Sequence, residues 1–348
     1  MSATSNYAIV VTTIQNPTKA LLSLVSIARS KNEKVFIIGD KKTPLDFELD
    51  ESNYYSTEKQ NKLNYKIIQK LPWNSYTRKM LGYLEAAASG TKYIRETDDD
   101  NFPLESFFES FPNQIEARDP RVDSDWINPY IYFSDQFIWP RGYPIELIQS
   151  SQQNRKKTAS NVSQKKVNKI GVVQGLANGS PDVDALFRLV MNNVDDFEFK
   201  VETPIVVPNF KFAPFNSQVT TWDIELLLLM YLPQTCTFRM TDIWRSFIAT
   251  HLMHLNGYSL VFTCASAFQH RNEHDLLKDF SDEIPGYMGN VNFVKTIQKL
   301  KLKSGMENLP KNIIIIYEEL IASGFFKSEE MDSLNAWIQD CEKIAHVD

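Results

Sequence analysis

Over its first hundred residues the chain alternates short β-branched runs with segments of helical spacing, a pattern that limits it to βαβ units around a mainly parallel sheet. Tyr7 to Thr12 is the first run, and after Asn16 and Pro17 the apolar set Leu21, Leu22, Leu24, Val25 and Ile27 predicts a helix. Val35 to Asp40 reads as a second buried strand, and Tyr65 to Ile68 as a shorter third. A helix is expected from about Ser75 to Ala88, capped by Asn74 or Ser75, with Met80 and Leu84 on its apolar face. Lys92 to Thr97 then forms the strand that delivers Asp98, Asp99 and Asp100.

Three carboxylates where a strand ends suit a hard divalent cation, since open α/β sheets bind ligands beyond the carboxyl ends of their strands. Followed by Asn101 and Pro103, the same triplet is also ordinary turn chemistry. No GxGxxG follows the first strand and no GxxxxGK[ST] loop occurs, so any phosphate must be met by side chains and metal.

The 348 residues suffice for one large α/β domain with appendages. A net charge of −6 argues against a nucleic-acid partner. Cys236, Cys264 and Cys341 are scattered and form no CxxC pair, which implies a reducing compartment. The N-terminal segment lacks a signal-peptide pattern, and the apolar run Ile224 to Leu232 falls short of the ~20 residues of a membrane span. A cytoplasmic protein without a membrane span is expected.

Residues 150–169 are polar and rich in Ser, Gln, Asn and Lys, and read as an exposed loop or insertion. Beyond them, Lys169 to Gly175 is expected as a strand, Pro181 to Leu189 and Trp222 to Leu232 as helices, and Tyr258 to Cys264 as a strand. Thr241 to Leu255 is a helix N-capped by Thr241 or Asp242, with Ile243, Trp244, Phe247, Ile248, Leu252 and Leu255 as its buried stripe. His251 and His254 share one face of it; with no carboxylate nearby they read as helix-surface residues, not a zinc pair. From about Val291 to Ala345 the pattern is helical throughout.

Six segments occur in the order found in STELLO-type glycosyltransferases: PWNSYTRKMLGYLEAAASG (72–90), KYIRETDDDNFP (92–103), WPRGYP (139–144), GVVQGLANGSPDVDA (171–185), TDIWRS (241–246) and FQHRNEHDLLKDF (268–280). More distantly the chain resembles the reversibly glycosylated polypeptides, the UDP-arabinopyranose mutases of plants. The resemblance spans most of residues 6 to 285 and implies a GT-A-like α/β nucleotide-binding sandwich with a mostly parallel mixed sheet over 1–286, followed by a helical extension over 287–348.

It also implies a metal-dependent transferase with a nucleotide sugar, UDP-linked, as donor; a UDP-sugar mutase, a self-glycosylating protein or a non-catalytic scaffold of glycan synthesis are the alternatives. Asp98 and Asp100 would contact nucleotide and Mn²⁺ (or Mg²⁺), assisted by Asp99. His270 matches a second metal-binding position, with His274 one helical turn on. Asp242 stands where the family carries an acidic residue at a helix start; sugar contact, general base and N-cap all suit it. Arg141 matches the arginine that the mutases are thought to glycosylate, yet a guanidinium with pKa above ~12 lacks a lone pair to attack with, and a clamp on diphosphate or donor sugar fits better. Arg78 is a second phosphate clamp, and for both arginines a surface salt bridge is the plain alternative. Trp73 and Tyr76 would stack on uracil or pack in the core, Asp40 would meet the ribose or base, and Asp182 and Asp184 would border the acceptor.

Overall fold

The structure is a computed structural model that describes residues 6–50, 52–191, 196–270 and 275–345. Its strands are β1 (Tyr7–Thr12), β2 (Lys34–Ile38), β3 (Asn53–Tyr55), β4 (Tyr93–Thr97), β5 (Asn101–Pro103), β6 (Ile115–Pro120), β7 (Val162–Val167), β8 (Ile170–Gly179), β9 (Ile205–Val206), β10 (Val219–Asp223) and β11 (Ser259–Gln269). The helices are α1 (Lys19–Ser30), α2 (Thr57–Asn61), α3 (Lys79–Ala88), α4 (Ile148–Gln153), α5 (Arg155–Ser160), α6 (Ala185–Val190), α7 (Thr241–Leu255), α8 (Leu276–Gln298), α9 (Leu309–Ala322) and α10 (Glu330–Ala345).

Among the described residues the strands form one mixed sheet in the order β3-β2-β1-β4-β10-β8-β11-β9-β6-β7, with β5 paired to β11. The expected α/β architecture is present. Its leading part, β3-β2-β1-β4, is parallel. The continuous apolar run of β1 follows from burial on both faces: Ala8 and Val10 join the core under α3, while Ile9 and Val11 meet Leu21, Leu24, Val25 and Ala28 of α1. β4 lies between β1, parallel to it, and the antiparallel β10, so its carboxyl end is held centrally.

Several expectations are corrected. The third strand is Asn53–Tyr55, and Ile67–Gln69 is a 3₁₀ turn whose entry is capped by Asp340 accepting from the Lys66 and Ile67 amides. Trp222 belongs to β10, where pairing with β4 and β8 overrides helical spacing, and a 3₁₀ segment Ile224–Met230 follows. Residues 150–169 are not a loop: α4 and α5 lead into β7, which pairs along the whole of β6 as the terminal strand of the sheet. Lys165 and Lys166 on that edge are the residues that discourage further strand pairing. The boundary expected at 286/287 falls inside α8, and Phe293, Val294, Ile297, Ile313, Ile316 and Trp337 share a core with Phe247 and Leu252. No helix among the described residues is long and apolar enough to cross a membrane.

Candidate active site

A cavity of about 310 Å³ opens at the carboxyl edge of the parallel strands. Thr12, Thr13 and Ile14 leave β1, Asp40 follows β2, the acidic triplet ends β4, and Gln269 ends β11, and all of them line it. Ser217, Gln218, Arg141, Asp182 and Asp242 complete the lining.

The three triplet carboxylates have different surroundings. Asp99 faces the loop after β1, accepting from Thr13 Oγ1 at 2.6 Å and Gln15 Nε2 at 3.3 Å. Asp98 accepts from the buried Lys79 Nζ at 3.0 Å, and the same ammonium donates to the Ser217 carbonyl at 3.2 Å. Asp100 accepts from Gln269 Nε2 at 3.1 Å. Burial and the charge of Asp98 push the Asp100 carboxyl up to about 7. The Lys79 ammonium thus sits against Asp98, and the Asp98 and Asp100 carboxyls share the same corner of the cavity.

No group of three or more His, Cys, Asp or Glu side chains able to hold a metal occurs among the described residues. Two carboxylates would leave a hard divalent ion, were one bound here, to be completed by water and phosphate oxygens. His270 does not line the cavity with Asp98 and Asp100. Its exposed ring packs on Phe102 and Phe268, with centroids 5.6 and 4.8 Å away. The strand pleat gives the reason: Gln269 turns toward Asp100, so its neighbour turns away. His274 lies outside the described residues.

Arg141 is buried and its N–H groups are fully used. Nε and Nη2 donate to the two Asp182 oxygens, both at 2.9 Å; Nη1 and Nη2 donate to the Asp242 oxygens at 2.9 and 3.0 Å; Nη1 also donates to the Arg239 carbonyl. A guanidinium has five N–H donors, so none remains for a diphosphate. The expected phosphate clamp is instead a lock on two carboxylates. Burial opposes charge on Asp182 and Asp242, but the Arg141 cation outweighs it and holds both below the usual carboxylate range.

Asp242 is not an N-cap. It is the second residue of α7, whose cap position is Met240 without a side-chain bond, and its Oδ2 also accepts from Ser217 N and Oγ. Asp182 Oδ2 further accepts from Asn216 Nδ2 at 2.7 Å. With two lone pairs per oxygen, Oδ1 of each aspartate keeps one acceptor position. Asp184 lies away from the cavity as the N-cap of α6, accepting from Phe187 N and Trp139 Nε1.

Arg78 lines the cavity and is also fully buried. Its guanidinium stacks 3.5 Å from the Trp73 ring centroid, Nε donates to Gln60 Oε1 and Nη1 to the Leu71 carbonyl, while Nη2 is buried with no partner among the described residues. Burial lowers its pKa to about 10. Trp73 thereby serves Arg78. Asp40 accepts the Lys41, Asn74 and Ser75 amides, fixing the turn in which Asn74 adopts φ 56°.

His251 and His254 are buried, not helix-surface, residues. His254 Nδ1 accepts from Phe210 N and the His251 ring lies parallel to Phe212. Lys79 was not anticipated, although it falls on the stripe with Tyr83 that α3 buries, an odd place for a lysine without a partner.

A family model described as STELLO glycosyltransferases matches residues 239–347, a stretch that includes all of α7, α9 and α10. The protein named Probable glycosyltransferase STELLO2 of Arabidopsis thaliana is 28% identical over 355 aligned residues, covering 97% of this chain and 45% of its own length. Probable glycosyltransferase STELLO1 of the same plant is 26% identical, covering 97% of this chain and 44% of its own length. The chain is similar to the STELLO glycosyltransferases along almost its entire length. It spans less than half the length of these two relatives. Among solved structures, one titled as a mycobacterial protein aligns with TM-score 0.40 and 9% identity over 84% of this chain and 75% of that one. The glucosyl-3-phosphoglycerate synthase of M. tuberculosis aligns with TM-score 0.39 and 10% identity over 83% and 80%. Likeness at that level carries no weight for function.

Proposed function

We propose that this chain is a glycosyltransferase whose donor is a nucleotide sugar, UDP-linked, bound with Mn²⁺ or Mg²⁺. The observation that carries the reading is one cavity lined both by Asp98 and Asp100 and by the Asp182–Arg141–Asp242 lock. Similarity to relatives named as probable glycosyltransferases supports it.

Asp98 and Asp100 would hold the cation; when bound, it neutralises charge on a departing diphosphate without proton transfer. Arg78 Nη2 offers a donor to a phosphoryl oxygen or the nucleobase. Asp182 and Asp242 orient sugar hydroxyls through their remaining acceptor positions. A carboxylate held below its usual pKa is a poor proton acceptor, so for Asp242 this role is favoured over that of general base.

The test is a thermal-shift panel of UDP-, GDP- and CDP-sugars with and without Mn²⁺, repeated on Asp98→Ala/Asp100→Ala. A UDP-sugar shift that needs both metal and the two carboxylates is expected. A double variant that keeps the metal-dependent shift refutes the assignment. Chromatography after incubation then separates UDP release, expected of a transferase, from a new UDP-sugar peak, which would mark a mutase.

A further inference from the structure

We propose that the mouth of the cavity is a saccharide subsite built on Phe238, and that the acceptor is therefore a sugar and not a polypeptide side chain; this rests on the transferase reading above. Phe238 is 57% exposed although it lines the cavity. It opens the 3₁₀ turn Phe238–Met240, which is anchored on one side by the Arg239 carbonyl accepting from Arg141 and on the other by Arg239 Nε donating to Glu283. The backbone beneath the ring is thus fixed to the carboxylate lock. The ring meets Tyr76 edge to face, with centroids 5.0 Å apart and planes at 77°, and its exposure leaves aromatic surface open to the cavity.

Two further features point to a polyhydroxylated ligand. The Tyr76 hydroxyl is buried with no hydrogen-bond partner among the described residues, though Asp242 and Arg141 are its electrostatic neighbours. A buried hydroxyl without a partner is costly, and a ligand group that completes it recovers that cost. Asp182 and Asp242 each keep one acceptor position on Oδ1. A pyranose presents an apolar C–H face with hydroxyls around its rim, so the aromatic surface takes the face while phenol and carboxylates take the rim. A lipid acceptor would call for a wide apolar wall, yet Phe238 and Ile14 are the large exposed apolar side chains in this lining. A peptide that bound by adding a strand would call for unpaired strand edges, and the strands that end at this cavity, β1, β2, β4 and β11, are all paired on both sides.

The test uses ligand-observed saturation-transfer NMR with maltose, cellobiose, xylobiose and mannobiose and with a Ser/Thr-containing peptide, on the intact protein and on Phe238→Ala, Phe238→Trp and Tyr76→Phe. UDP with Mn²⁺ is followed in parallel by thermal shift. At least one disaccharide is expected to bind, about tenfold more weakly to Phe238→Ala, with binding restored by Phe238→Trp, weakened in Tyr76→Phe, and the UDP shift equal in all four proteins. Unchanged binding by Phe238→Ala, binding of the peptide alone, or no saccharide binding by protein that does bind UDP would each overturn the subsite. Phe238-dependent disaccharide binding without any UDP shift would instead leave the subsite standing and overturn the donor reading.

Discussion

Arg141 decides the state of the cavity floor, because every one of its donors ends on Asp182, Asp242 or the Arg239 carbonyl. Arg141→Lys supplies three donors for five acceptor contacts, so it is expected to lower stability by about 1–3 kcal/mol through unmet buried oxygens. Arg141→Ala leaves two buried carboxylates facing each other and should cost about 3–5 kcal/mol. Urea melts measure both. If Arg141 clamped phosphate instead, Arg141→Lys would melt like the parent and weaken UDP, and that result would sink the lock. The place of the acidic triplet on the cavity was legible because residue type and position at a strand end were enough. The lock was not, since Arg141 meets Asp182 and Asp242 across 41 and 101 residues of chain, and a spacing that long carries no local signal.

At the scale of elements, α3 packs on the sheet through Gly82. An added Cβ would sit 2.4 Å from Val10 Cγ1 and 3.1 Å from Ile38 Cγ1. Helix propensity alone favours Gly82→Ala by about 1 kcal/mol, whereas overpacking costs about 1–3 kcal/mol, so net destabilisation is expected, and a raised melting temperature would contradict it. In α7, burial lowers His251 and His254 to about 4, and Lys165 adds to the shift of His254. The unfolded chain takes up protons at these sites as pH falls through ~6.5, while the folded one resists until about 4. Stability is therefore full above that window and declines as pH drops through it. His251→Phe keeps a ring against Phe212 and should flatten the decline; urea midpoints at pH 7.5, 6 and 5 that fall equally in both proteins would count against this. The bounds of α7 could be read directly from its apolar stripe. β3 and β7 could not, because short or polar strands owe their existence to the partners they pair with, Lys34–Ile38 and Ile115–Pro120.

Taken as a whole, the molecule is joined by contacts that ignore the boundary suggested by its helical tail. Patterning along 291–345 announced helices correctly, but periodicity reports which face is buried and not what buries it. In the structure Trp337 packs against Tyr231 and donates to the Leu228 carbonyl, and Asp340 caps the turn at Ile67. Glu330, wholly buried, accepts from Tyr231 Oη at 2.6 Å, Thr235 N at 2.7 Å, Thr235 Oγ1 at 2.6 Å and Gln234 N at 3.0 Å. These four donors belong to the segment that leads into the Phe238 turn and α7, so the C-terminal helices brace the cavity from behind. Glu330→Gln exchanges one acceptor oxygen for a donor opposite donors and is expected to cost about 1–3 kcal/mol or more. Because both halves share one core, the loss should fall on the entire chain: native-state hydrogen exchange should show amides of β1 and α10 losing protection together. Loss confined to α10, with β1 unchanged, would mean that the tail unfolds by itself and that the division near residue 286 is real after all.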